Sequence, residues 1–178
     1  MNLGGRYLKN KKALMFLILV LIVTSVFSYQ YLKLRQEYII LRRDAKYNFT
    51  KYLTLSLSSA NVVDINKINT GDKKSILSLR EMYKEISNST VIAGLSFRDN
   101  FFLVDQSDMM TYQLALKKIL DKTINNKLTE EDGQEIKLII EDLTLIKKYV
   151  DENDNCDMKK YHTEIRPKLK FIKIPYKD

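Results

Sequence analysis

Lys9 to Gln36 reads KNKKALMFLILVLIVTSVFSYQYLKLRQ, and this stretch decides the architecture. From Ala13 to Phe27 there is no charge, and Leu, Ile, Val and Phe dominate. Extended to Leu32, the run is 20 residues long. A helix needs roughly 20 residues to cross about 30 Å of hydrocarbon. Tyr29 and Tyr31 stand at one end, as interfacial aromatics do. A buried soluble helix seldom carries an apolar surface all round, so the run reads as a membrane span. Its anchor residues are Ala13, Leu14, Phe16, Leu17, Ile18, Leu19, Val20, Leu21, Ile22, Val23, Val26 and Phe27.

Orientation follows from charge. Arg6, Lys9, Lys11 and Lys12 precede the run; Lys33, Arg35, Arg42 and Arg43 follow it. Counting basic residues alone gives no bias. Moving the four leading charges outward against the membrane potential costs about 2.3 kcal/mol per charge per 100 mV, roughly 9 kcal/mol in all. A basic flank followed by an apolar core also matches a secretory start. The expected topology is a cytoplasmic N-terminal flank (1–12), a signal-anchor (13–32) and an extracytoplasmic remainder. A cleaved, secreted form is the second choice: Val26-Phe27-Ser28 is a tolerable cleavage site, but Phe27 and the length of the core favour retention.

Of the 178 residues, 178 − 32 = 146 follow the anchor, enough for one domain with a core. The net charge of +8 loses four units to the N-terminal flank, leaving about +4 outside. That balance is mild and gives no support to nucleic-acid binding. Cys156 is the only cysteine, so packing and not an internal disulfide must stabilise the domain. As the sole thiol it is also a natural label for topology. Both prolines, Pro167 and Pro175, lie near the C-terminus, and there are five glycines. Proline costs about 3 kcal/mol and glycine about 1 kcal/mol inside a helix, so their scarcity predicts an all-α body.

Periodicity divides that body into segments. Tyr31, Leu34, Tyr38, Leu41, Ala45, Asn48, Tyr52, Leu55 and Ser59 recur at alternating spacings of three and four. This predicts one helix continuing from the anchor to about Ala60, with a seam suited to a coiled-coil dimer or to the first helix of a bundle. Asn48 is the polar residue expected to fix register. Asn61–Gly71 breaks the pattern, and Thr70 or Asp72 caps the next helix. Its stripe is Ile76, Leu79, Tyr83, Ile86, Thr90 and Ala93, with Gly94 as its stop. Ser96–Asp99 reads as a capping box for a third helix, continuous or interrupted near Gln106–Ser107, facing the core with Phe101, Phe102, Met110, Leu114, Leu120 and Ile124. Asn125-Asn126-Lys127 ends it. Thr129-Glu-Glu-Asp132 starts a fourth, with Ile136, Ile139, Ile140, Leu143, Ile146 and Val150 inward. The expectation is an up-down bundle of about four helices over 33–158, then a short, basic, extended tail over 159–178.

Catalytic constellations are sparse. Asp151, Asn153, Asn155 and Asp157 mimic the odd positions of a calcium loop, but Cys156 and His162 stand where its Gly and Glu belong. Cys156 and His162 alone are too few for zinc, and no motif fixes them as a nucleophile pair. Glu130-Glu131 and Glu141-Asp142 read as solvated helix surface. Asn48-Phe-Thr50 and Asn88-Ser-Thr90 are glycosylation sequons inside predicted helices, taken as chance. No cofactor, metal or catalytic residue is expected.

The chemical feature that stands out is the tail. Lys159, Lys160, Arg166, Lys168, Lys170, Lys173 and Lys177 face only Glu164 and Asp178, with Tyr161, Phe171 and Tyr176 interleaved. These are candidate contacts for anionic lipid headgroups, an anionic wall polymer or an acidic partner. The layout resembles extracytoplasmic four-helix sensor domains in outline. The expected function is a non-catalytic, membrane-anchored interaction module: a structural, scaffold or sensor-like part of an envelope complex. Its partners would be the bilayer through 13–32 and another envelope protein or a second copy through the helical seam. The alternative is a carrier holding a lipid or small apolar ligand between helices, in a cavity lined by Tyr83, Phe101, Phe102 and Met110.

Overall fold

The computed structural model describes residues 3–98, 101–125 and 127–173, with side chains described from residue 14 onward. Among the described residues the chain is all-α, with no strand. The helices are α1 (Leu3–Ala60), α2 (Ile65–Asn69), α3 (Lys73–Arg98), α4 (Gln106–Thr123), α5 (Glu130–Glu152) and α6 (Met158–Lys160). A π-helical turn over Tyr161–Ile165 and 3-10 turns over Arg166–Lys168 and Phe171–Lys173 follow. The chain divides into two units, Met1–Leu41 and Arg42–Asp178.

Among the described residues the first unit is the part of α1 up to Leu41. Its side chains from Leu14 to Leu41 are exposed, including every apolar one. One helix among the described residues is thus long and apolar enough to cross a bilayer, and its apolar window is not buried against protein.

The second unit is the bundle: the α1 residues from Arg42 onward, α3, α4 and α5, with α2 wedged against α3 and α5. On α1 the buried face is Phe49, Leu53, Ser56 and Ala60. This is one position out of phase with the expected seam, whose Leu55 is exposed and whose Asn48, Tyr52 and Ser59 are half-buried. Both stripes have helical spacing, and the one that buries the larger apolar volume faces inward. Asn48 therefore sits at the border of the packed face.

The loop after α1 is pinned by polar groups. Asp64 caps α2, accepting from the N–H groups of Asn66 at 3.0 Å and Lys67 at 3.2 Å. Asn69 pairs with the Leu128 backbone, donating to its carbonyl at 2.8 Å and accepting from its N–H at 3.2 Å. Gly71 adopts φ 81°, which a side chain would strain. Asp72 accepts from Ser75 N–H at 2.9 Å, starting α3 as expected.

Helix α3 does not stop at Gly94. It runs to Arg98, and Gly94 lies inside it, where a Cβ would meet the Gln106 side-chain nitrogen. Nor does Ser96 begin the next helix. It lies inside α3, buried, donating to Ala93 O at 2.7 Å. Asp99 lies outside the described residues. Phe101, Leu103 and Val104 are used as a buried plug, and Asp105 caps α4, accepting from Ser107 N–H at 2.9 Å.

The inward face of α4 is Met109, Tyr112, Ala115, Leu116 and Ile119. Met110 and Leu114 are exposed, and Ile124 is 77% exposed, contrary to the expected stripe. Again two neighbouring stripes are both apolar, and tertiary packing chooses between them. Helix α5 fits its expected pattern. Thr129 and Asp132 form a capping box, and Ile136, Ile139, Leu143, Ile146 and Val150 are buried, with Ile140 at the border.

The segment 161–173 is not an extended arm. It coils in successive short helical turns and buries Tyr161, Ile165, Leu169 and Phe171.

Truncating a buried Leu to Ala costs about 2–5 kcal/mol, while exposed positions cost under about 0.5 kcal/mol. In the full chain in mild detergent, chemical denaturation should show Leu53→Ala losing about 3 kcal/mol and Leu55→Ala almost nothing. The reverse order would restore the other seam.

Candidate functional site

Two buried carboxylates organise the C-terminal part of the bundle. Asp108 lies in the first turn of α4 and Asp142 midway along α5, each 2% exposed. Asp108 shares a face with Tyr112, Ala115 and Ile119; Asp142 shares one with Ile139 and Ile146. An acid at such a place needs compensating donors, because an unpaired buried charge costs several kcal/mol.

The C-terminal turns supply them. Asp108 accepts from Tyr161 OH at 2.9 Å and from Arg166 Nε at 3.1 and 3.2 Å, with Arg166 Nη2 at 3.1 Å. Asp142 accepts from Lys170 N–H at 2.7 Å, Phe171 N–H at 2.9 Å and Tyr112 OH at 3.2 Å. Rings seal the cluster: Tyr161 stands edge-on to Phe102 at 5.5 Å, and Tyr112 meets Phe171 at 5.8 Å. Among the described residues no buried side-chain nitrogen or oxygen lacks a hydrogen-bond partner.

Burial dominates the electrostatics. It raises the Asp108 carboxyl above its ordinary value, more than Tyr161 and Arg166 lower it. It raises Asp142 likewise, more than the Lys170 and Phe171 amides and Tyr112 lower it. The Tyr112 and Tyr161 phenols are pushed up by burial and by the neighbouring carboxylates, so both remain hydrogen-bond donors at neutral pH. Tyr149, raised by burial to about 12, donates to Asp157 O at 2.9 Å and accepts from Asp157 N–H at 2.8 Å. Asp132 behaves oppositely. Burial raises it, but hydrogen bonds from Lys122 and Thr129 outweigh that and lower it overall.

The basic residues separate into two groups. Arg166 holds Asp108, Lys170 Nζ pairs with Glu141 at 2.7 Å, and Lys160 Nζ reaches Asn153 Oδ1 at 2.8 Å. Lys159, Lys168 and Lys173 are exposed, with no carboxylate paired to them among the described residues. Lys177, like Ile174 and Tyr176, lies outside the described residues. Of Glu141-Asp142, Glu141 is half-exposed at the surface, whereas Asp142 is buried, contrary to the expectation of a solvated pair. Its signal was positional: Asp142 falls on the apolar stripe of α5.

The calcium-like run is occupied with local structure. Asn153 donates to Tyr149 O at 2.6 Å, Asp154 accepts from Lys46 Nζ at 3.3 Å, and Asp157 caps Lys160 N–H at 2.7 Å. Among the described residues no three His, Cys, Asp or Glu side chains cluster as metal ligands. Cys156 and His162 have separate partners. The Cys156 thiol faces Asn153 O at 3.6 Å, and His162 Nε2 lies 3.5 Å from Asp105 Oδ2. Of the four residues expected to line a carrier cavity, Met110 is exposed on the outer side of α4 and Phe102 packs on Tyr161. Phe101 is buried and Tyr83 is half-buried against the core.

Membrane-anchor residues Leu14, Phe16, Leu17, Ile18, Leu19, Val20, Leu21, Ile22, Val23, Val26 and Phe27 are all exposed on α1. Ala13 is helical, but its side chain is outside the described set. Comparison with family models, with curated proteins and with solved structures finds no match.

Two outcomes follow. The folded-state pKa of Asp142 lies above its unfolded value of about 3.9. The folded chain therefore binds that proton more tightly, so this contribution is full below the unfolded pKa and is lost as pH rises through the folded one. In denaturation from pH 4 to pH 7, the stability of the unsubstituted chain minus that of Asp142→Asn should fall as pH rises; a difference that is flat or rising would contradict the assignment. Cys156 is 7% exposed and burial raises its thiol pKa. Maleimide should modify the folded chain at least about tenfold more slowly than the denatured chain, in keeping with slow reaction of buried thiols.

Proposed function

We propose that the chain is a single-pass, membrane-anchored helical interaction module outside the cytoplasm, acting as a structural, scaffold or sensor-like part of an envelope complex without catalysis of its own. The observation that carries this reading is the exposure of the apolar α1 segment 14–32, next in sequence to a bundle whose buried polar groups satisfy one another. An exposed apolar surface of that size needs lipid or protein to cover it. The four basic residues ahead of it favour a cytoplasmic N-terminus. Lys159, Lys168 and Lys173 are exposed with no carboxylate partner among the described residues, which suits an anionic surface, where each is worth about 1 kcal/mol. The carboxylates at the centre of the bundle are saturated by structural donors, which supports a binding role over chemistry.

Cys156 is too buried to report topology, so the label belongs at an exposed position. In a Cys156→Ala background, Gln134→Cys on the outer face of α5 should react with a membrane-impermeant maleimide in intact cells, at full-length mass. Reaction only after lysis would reverse the topology. Reaction at a mass lacking residues 1–28 would establish the cleaved, secreted form instead.

A further inference from the structure

We propose that the exposed face of α1 between Leu17 and Leu41 pairs with a second copy of this chain, in parallel. The inference rests on the membrane-anchor reading and names the partner of that anchor. The residues at one heptad phase are Leu17, Val20, Thr24, Phe27, Tyr31, Leu34, Tyr38 and Leu41. They form a seam along about 36 Å of helix at 1.5 Å per residue. All are exposed, Leu34 to 65%. Between residues 29 and 41 no other stripe with this spacing runs uninterrupted; Lys33, Arg35, Gln36 or Glu37 breaks each of them. Phe27, Ser28, Tyr31 and Leu32 line a shallow depression on the seam, the kind of hole into which a facing knob fits.

Charge selects the partner and its direction. With Tyr31 and Tyr38 at a and Leu34 and Leu41 at d, Glu37 falls at g, and Arg35 and Arg42 fall at e. In a parallel pair g of one helix meets e of the other five residues on, so each Glu37, which lies 4.0 Å from Lys33 Nζ of its own helix, comes opposite the other copy's half-buried Arg42, twice by symmetry. Gln30 meets Arg35 in the same way. In an antiparallel pair e would face e and g would face g, bringing arginines together. A shared bilayer anchor imposes the parallel direction on two copies and raises their effective concentration, so a short seam outside the membrane suffices. Beyond Leu41 the seam gives way to the face that packs into the bundle, Phe49, Leu53, Ser56 and Ala60.

The test is thiol oxidation with copper-phenanthroline in membranes carrying the full chain with Cys156→Ala. Leu34→Cys, on the seam, should form a disulfide-linked species of twice the chain mass. Gln36→Cys, on the opposite face, should form severalfold less. Adding Glu37→Arg to Leu34→Cys should lower the yield severalfold, and adding Arg42→Glu as well should restore it. Equal yields at Leu34 and Gln36, indifference to Glu37→Arg, or a product of another mass would overturn the proposal, the last by identifying a different partner. Alkaline carbonate washing of the same membranes separates the two levels. A chain retained without cross-linking overturns the pairing alone, whereas a chain released overturns the anchor reading as well.

Discussion

Two acids held out of water, Asp108 and Asp142, are the constraint on which the bundle depends. Neither is tolerable alone in that position. Each is tolerable because the last helical turns bring a tyrosine, an arginine or two backbone N–H groups to it. The dependence is mutual. The Lys170 and Phe171 amides have their acceptor in α5, and the Arg166 guanidinium has its partner in α4. The acids thus convert a basic C-terminal stretch into a structural part of the bundle. They also fix the phases of α4 and α5, because any rotation that exposed them would expose Tyr112 and Ile139 with them.

Helix α1 carries two kinds of surface in one sequence. From Leu14 to Leu41 its apolar residues are exposed, and from Phe49 to Ala60 one stripe is buried. The first suits a surrounding that is itself apolar; the second is the amphipathic face of a helix in a packed core. The same bonds that hold 3.6 residues per turn carry the chain from one requirement to the other without a break.

The features legible in the sequence were those set by local rules. The apolar run, the scarcity of proline and glycine, and the Thr129–Asp132 capping box each act within a few residues, and all describe the structure correctly. The stripe of α5 was legible because its opposite face is polar. Those of α1 and α4 were not, because Tyr52 and Leu53, or Met109 and Met110, are apolar candidates one position apart. Only the partner helices decide between them. The final segment misled for a related reason. Its Lys and apolar residues alternate without a helical period, as an extended tail would, yet the turns are set by the carboxylate acceptors and the Tyr112 ring that α4 and α5 present. Asp142 was hidden beside Glu141, where a pair of acids reads as surface unless the stripe is counted through it.

The central claim is that residues 14–32 are shielded by lipid while 42–173 fold as one body. Hydrogen–deuterium exchange on the full chain in lipid vesicles tests both parts at once. The account predicts that amides of 14–32 outlast every amide of the bundle, and that Lys170 and Phe171 exchange as slowly as the middle of α5. Rapid exchange across 14–32 in the presence of lipid would contradict the anchor. Rapid exchange at Lys170 and Phe171 would contradict the carboxylate docking on which the bundle depends.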